Sequence, residues 1–180
     1  MTIIDDLEPL AVKWREQRIP ILGLASAKWL LSLIEKEKPK RILEIGTAVG
    51  YSGTILASSG ASLVTMDTDE KALTVAEETF AKFNVDAQII CEDAKEALKD
   101  ISQLSLMPGE FDLIFIDHWK AKYLEVLEYC IKLSRKGTII IADNIKNPKC
   151  LPFVAAITKD ERLETTLYDV GDGLSMSIVK

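Results

Sequence analysis

Arg41-Ile42-Leu43-Glu44-Ile45-Gly46-Thr47-Ala48-Val49-Gly50-Tyr51-Ser52-Gly53 reads as a short apolar strand running into a glycine turn and the opening of a helix. Lys38-Pro39 stops the preceding helical pattern, so the strand begins cleanly. The same unit recurs along the chain. Ser62–Met66 closes on Asp67, Ala87–Cys91 follows, Phe111–Ile116 ends at Asp117, and Thr138–Ala142 ends at Asp143-Asn144. Apolar periodicity predicts helices over 2–17, 21–36, 51–59, 94–103, 120–133 and 150–158, and another after Asp67 with Ala72, Val75, Ala76 and Phe80 on one face. Runs such as Leu113–Ile116 and Ile139–Ala142 lack strict alternation, as strands covered on both faces do. Repeated strand–helix units imply right-handed crossovers and an α/β, doubly wound, mostly parallel sheet. Arg162–Tyr168 and Leu174–Val179 flank Asp169-Val170-Gly171-Asp172-Gly173 and read as a hairpin, which makes the last strand antiparallel.

The 180 residues suit one domain, with no linker or internal repeat to divide it. With 48% hydrophobic and 28% charged residues, disorder and coiled coil are excluded. A formal net charge of −6 gives no overall field for phosphate backbones, so nucleic acid is an unlikely partner. Three cysteines without a CxxC, beside one histidine, do not make a zinc site and read as reduced thiols. No basic leader precedes an apolar stretch and no apolar run reaches membrane-spanning length. A cytoplasmic location without membrane contact is expected.

Ligands of open α/β sheets bind beyond the carboxyl ends of the strands. At the first such end, glycine lets backbone approach a ligand and the next helix offers unpaired N–H groups. The spacing is Gly46-x-x-x-Gly50, and Thr47-Ala48 breaks the dinucleotide pattern G-x-G-x-x-G. A tight strand-to-helix turn would also use these glycines. With acidic Glu44 two positions before Gly46, the pattern resembles the first motif of the S-adenosylmethionine-dependent methyltransferases, whose sheet is seven-stranded and Rossmann-like. The closing antiparallel hairpin belongs to that sheet too. A cofactor carrying an ammonium and a sulfonium suits an acidic turn better than a pyrophosphate does, and Asp67 stands where an acid accepts bonds from ribose hydroxyls.

Strands four and five end in Asp117-His118-Trp119-Lys120 and Ala142-Asp143-Asn144. Neighbouring strands lie about 4.8 Å apart. Two carboxylates and a carboxamide from such ends form a hard-oxygen set for Mg²⁺, although Asp at these positions also caps helices. These two strand ends, with Gly50-Tyr51-Ser52, Tyr123-Leu124, Arg135-Lys136-Gly137-Thr138 and Asp172-Gly173-Leu174, resemble the metal-dependent catechol O-methyltransferase family from about Pro20 to Lys180. The resemblance implies that Asp117, Asp143 and Asn144 hold Mg²⁺ or another divalent cation and that Lys120 is the proton acceptor. It implies cofactor contacts from Glu44 and Ser52 at the amino acid end, Gly46 at the turn and Asp67 at the ribose. His118 falls near the sulfur and Trp119 near the adenine, and the helices of residues 1–38 cover the cofactor side.

The implied activity is O-methylation of a small chelating, catechol-like molecule. A phenol titrates at about 10, and chelation to a divalent cation favours its oxyanion. A lysine beside a metal and a sulfonium is shifted toward the neutral base. The chain departs from the animal catechol enzymes six positions before Asp172-Gly173-Leu174, where they carry an acid and this chain carries Thr166, with Glu164 two residues earlier on the same face. Two other readings stay open: methylation of a hydroxylated tRNA base, and a nucleotide-binding module without catalysis. The basic cluster Lys36, Lys38, Lys40 and Arg41 precedes strand one, at the edge away from the site. The apolar stretch Ile21–Leu33 serves either the core or a homodimer contact.

Overall fold

The computed structural model describes residues 2–99 and 109–180. Thr2 opens α1 (Ile3–Glu16) with a reciprocal cap, its hydroxyl accepting from the Asp5 N–H while the Asp5 carboxylate accepts from the Thr2 N–H. α2 (Leu24–Glu37) stops on Lys38, held in the left-handed region at φ 48°, just before Pro39. Strands and helices then alternate as β1 (Arg41–Ile45), α3 (Tyr51–Leu56), β2 (Ser62–Asp67), α4 (Glu70–Phe83), β3 (Ala87–Cys91), α5 (Ala94–Lys99) and β4 (Phe111–Ile116). The chain finishes with α6 (Tyr123–Leu133), β5 (Ser134–Asp143), α7 (Leu151–Lys159), β6 (Leu163–Tyr168) and β7 (Leu174–Val179).

One seven-stranded sheet forms in the order β3-β2-β1-β4-β5-β7-β6. The first five strands are mutually parallel, and β7 runs antiparallel to both β5 and β6. This is the expected Rossmann-like sheet with its antiparallel last strand. Chain order reverses between β1 and β4, which opens a crevice at their carboxyl ends.

Both faces of the central strands are buried, which explains their unbroken apolar runs. Leu43, Ile45, Ile114, Ile116 and Ile140 meet Val126 and Cys130 of α6 and Phe153 and Ile157 of α7. Their neighbours Ile42, Leu113, Phe115, Ile139 and Ile141 meet Leu7 and Trp14 of α1, Leu30 and Ile34 of α2, and Ile55 of α3. The stretch Ile21–Leu33 therefore serves the core first: Leu22, Ala27, Leu30, Leu31 and Leu33 are all buried.

Boundaries shift where short 3-10 turns take over from regular helix, at Ala57–Ser59, Lys120–Lys122 and Pro148–Cys150. β5 is longer than the apolar run, because Ser134 pairs with Phe111 before an irregularity in register. Of the helix expected over 94–103, the part after Lys99 lies outside the described residues. Among the described residues, no helix is long and apolar enough to cross a membrane.

Candidate active site

The carboxyl ends of β1, β2, β4 and β5 surround a cleft of about 650 Å³, roofed on one side by Pro20–Gly23 between α1 and α2. That size is in the range of small-molecule and cofactor sites. Its floor depends on Gly46, which has φ 108°. A Cβ at this position would stand 2.3 Å from the Asp117 carbonyl oxygen and 2.9 Å from the His118 nitrogen. Glycine thus lets the turn after β1 lie directly on the turn after β4. The Asp117 N–H donates to the Ile45 carbonyl at 2.8 Å, and the Gly46 N–H to that of Met66 at 2.9 Å, so three strand ends are locked together.

Asp67 lines the cleft at the end of β2. One of its oxygens accepts from the Ala48 N–H at 2.9 Å and the other from the Thr68 N–H at 2.7 Å, which fixes the carboxylate plane. Ala48 itself sits at φ 44°, a left-handed conformation that costs a residue with a Cβ about 1–2 kcal/mol. Ser52 lines the cleft, whereas Glu44 does not. Glu44 is the residue expected at the amino acid end of the cofactor. Its carboxyl is wholly buried behind Ser52, accepting at 2.6 Å from the Ser52 hydroxyl and at 2.6 Å from that of Thr65. Burial, against those two hydrogen bonds, pushes this carboxyl up to about 8.

Asp117, Lys120, Asp143 and Asn144 meet on the other side of the cleft. Asp117 and Asp143 follow the paired residues Ile116 and Ala142 on adjacent strands. Lys120 Nζ lies 2.5 Å from Asp117 Oδ1, because the 3-10 turn brings the lysine back over the strand end. Asp143 is 1% exposed; burial raises its carboxyl to about 6, and the nearby Asp117 charge adds to the rise. Its Oδ1 accepts from the Ser26 hydroxyl at 3.1 Å, and its backbone carbonyl accepts from the Tyr123 hydroxyl at 3.1 Å. Asn144 adopts φ 56°, a region that Asn tolerates better than most residues.

Two crowded carboxylates call for a cation, and the Lys120 ammonium supplies one in the protein alone. Among the described residues no group of three or more His, Cys, Asp or Glu side chains is placed to hold a metal. Asn144, next to Asp143 in the cleft lining, would supply a third protein oxygen. The set of two carboxylates and a carboxamide fits a hard divalent cation that keeps several water or substrate oxygens.

His118 stacks on Tyr123 with ring centroids 5.3 Å apart and an interplanar angle of 11°. Burial, then the Lys120 charge, lowers its imidazole to about 4, so it is neutral at physiological pH. Its Nε2 is buried without a hydrogen-bond partner in the protein. Trp119 is 66% exposed at the rim, so its indole is not a core residue.

Sequence reasoning did not single out Ser26, Asp93 or Lys122, and gave Tyr123 no role beyond its part in the resemblance. Asp93 and Lys122 line the cleft and pair at 2.6 Å, and the lysine holds the Asp93 carboxyl below its ordinary range. Asp93 sits just past β3, so the strand-end rule that found Asp67 would have found it. Thr166 and Glu164 are exposed on β6 and neither lines the cleft; at this hairpin Asp172 does. Six carboxylates line the cleft against two lysines, which favours a cationic ligand over a polyanion.

Residues 2–180 match the model of a family described as O-methyltransferase. The chain is 35% identical over 190 residues to a catechol O-methyltransferase of Niastella koreensis, covering 92% of this chain and 86% of that enzyme. It is 30% identical over 172 residues to the mouse catechol O-methyltransferase, covering 87% of this chain and 64% of that protein. The structure of an O-methyltransferase from Bacillus cereus in complex with SAH superposes with a TM-score of 0.83 at 27% identity, covering 97% of this chain and 90% of that one.

Proposed function

The chain belongs to the O-methyltransferase family of S-adenosylmethionine-dependent enzymes, and on that premise we propose that it methylates a hydroxyl of a small, catechol-like chelating molecule with a divalent cation, Mg²⁺ by its ligand set. The observation that carries this reading is that Asp117, Lys120, Asp143 and Asn144 line the same cleft as the Gly46 turn and Asp67.

Each residue has a task in this reading. Asp67, with its plane fixed by backbone N–H groups, accepts from the ribose hydroxyls. Ser52 faces the amino acid end, and Glu44 holds Ser52 from behind. His118 contributes a neutral imidazole and so adds no like charge beside a sulfonium. Asp117, Asp143 and Asn144 would hold the cation, which stabilises negative charge on a chelated hydroxyl oxygen. Lys120 takes the hydroxyl proton; to do so it must leave its ion pair with Asp117 and shed its own proton first. The Pro20–Gly23 segment and the Gly46 turn wall the cleft around the reacting groups.

Incubating the protein with labelled cofactor and catechols, hydroxycinnamoyl thioesters or tRNA tests the substrate class, with and without EDTA. Methylation of a catechol-like molecule that EDTA abolishes, while calorimetry still shows cofactor binding, is the expected result. Turnover that survives chelation defeats the metal, and methylation of tRNA alone defeats the small-molecule reading.

A further inference from the structure

Hydroxyls on the helices of this protein mostly turn back on their own backbone. Ser32 donates to the Lys28 carbonyl, Thr54 to that of Gly50, Thr74 to that of Glu70 and Thr79 to that of Val75. Ser26, in the first turn of α2, does otherwise. Its hydroxyl spans 117 positions of sequence to reach Asp143 Oδ1 at 3.1 Å, in a place where Ser26 is 3% and Asp143 1% exposed. Nor does it cap its helix, whose N-cap is Gly23.

The hairpin turn closes on that hydroxyl. A Cβ on Gly171, in the β6–β7 turn, would stand 2.9 Å from Ser26 Oγ. Three elements far apart in sequence therefore close around one O–H: the start of α2, the end of β5 and the hairpin turn. A neutral donor also suits the position. It fixes one carboxylate oxygen without cancelling the charge, whereas a lysine there would compete with a cation for the same group.

We infer that Ser26 is a positioning residue: by holding Asp143 Oδ1 it orients the carboxylate toward the cation and couples the seating of α2, whose leading segment Pro20–Gly23 lines the cleft, to metal binding. The inference rests on the metal reading proposed above. Outer-shell partners of ligating carboxylates typically govern metal affinity by about 10–100-fold.

The experiment titrates Mn²⁺ into the full chain and follows free ion by electron paramagnetic resonance, in wild type, Ser26→Ala and Ser26→Thr. Cofactor affinity by calorimetry and thermal unfolding are measured on the same samples. The expected result is Mn²⁺ binding weakened by about tenfold or more in Ser26→Ala and recovered to within about threefold in Ser26→Thr, with cofactor affinity moved less than about twofold. Unchanged Mn²⁺ binding in Ser26→Ala overturns the inference alone. Parallel losses of Mn²⁺ binding, cofactor binding and melting temperature also overturn it, by reducing Ser26 to a packing role. Absence of Mn²⁺ binding in wild type defeats the metal reading, and the inference falls with it.

Discussion

Replacing Glu44 by Gln should make the protein more stable relative to wild type as pH rises. Glu44 is 0% exposed, and burial lifts its carboxyl from 4.5 to about 8, against the Ser52 and Thr65 hydroxyls that favour the charged form and with the charges of Asp117 and Asp67 raising it further. The native state therefore keeps a proton that the unfolded chain gives up above its ordinary carboxyl range. Stability from this group is fully present below about pH 4.5 and is lost as pH rises through about 8. Each unit of difference is about 1.4 kcal/mol, so between pH 5 and pH 8 the loss is about 3–4 kcal/mol. Gln keeps the shape without the charge, and the Ser52 and Thr65 hydroxyls can accept from its amide as readily as they donate to the carboxylate. Urea unfolding of both proteins at pH 5, 6, 7 and 8 isolates the effect, because every other titration is common to the pair. The expected difference is small at pH 5 and favours Glu44→Gln by about 3–4 kcal/mol more at pH 8. A difference that stays constant with pH would refute the reasoning: Glu44 would then be titrating as it does in the unfolded chain.

Gly46→Ala should cost about 2–5 kcal/mol of unfolding free energy, adding the strain of a Cβ at φ 108° to its clash with the Asp117 carbonyl. Any protein that remains folded should lose cofactor affinity in calorimetry, and wild-type stability would refute the close approach of the two turns. Lys120→Met should lower kcat by about 10²–10⁴ while cofactor affinity stays within a few-fold. Steady-state kinetics with the substrate found above measures this, and retained kcat would remove Lys120 from the proton-transfer step.

Strand ends were legible because the five parallel strands are apolar-rich runs that each stop at an acid or a glycine. Asp67, Asp117 and Asp143 could be placed around one crevice from that pattern and the doubly wound order alone. Ser26 could not, because its hydroxyl acts across 117 positions and nothing in Leu24-Ala25-Ser26-Ala27 distinguishes it from a helix serine bonded to its own backbone. Glu44 was legible as a residue of consequence but not in its surroundings. Position two before the glycine identifies it, whereas only the register of Glu44 beside Thr65 shows that β2 supplies a hydroxyl which turns the carboxylate inward. Whether Thr166 reaches the site was not legible for a related reason. Counting back from Asp172 gives its place in sequence, but β6 stays extended through Tyr168 and keeps Thr166 exposed beside Met176, out of the cleft.

The site joins two ends that the backbone, more than any side chain, holds in register. The turns after β4 and β5 both depend on conformations that few residues accept, Asn144 at φ 56° and the Gly46 turn pressed on the Asp117 carbonyl. Strain of that kind persists only when surrounding bonds over-determine it, and here they do. The Asp117 N–H is tied to Ile45, the Asp143 carbonyl to Tyr123, and the Asp143 side chain to Ser26. A reaction that needs a methyl donor and a hydroxyl oxygen aligned gains most from such fixed turns, since misplacement by about 1 Å can cost about 10²-fold in rate. The acid-rich lining then has a physical reason: charges that would repel one another in a rigid, half-buried crevice are stable there only beside cations, and in this protein Lys120 and Lys122 each neutralise one of them.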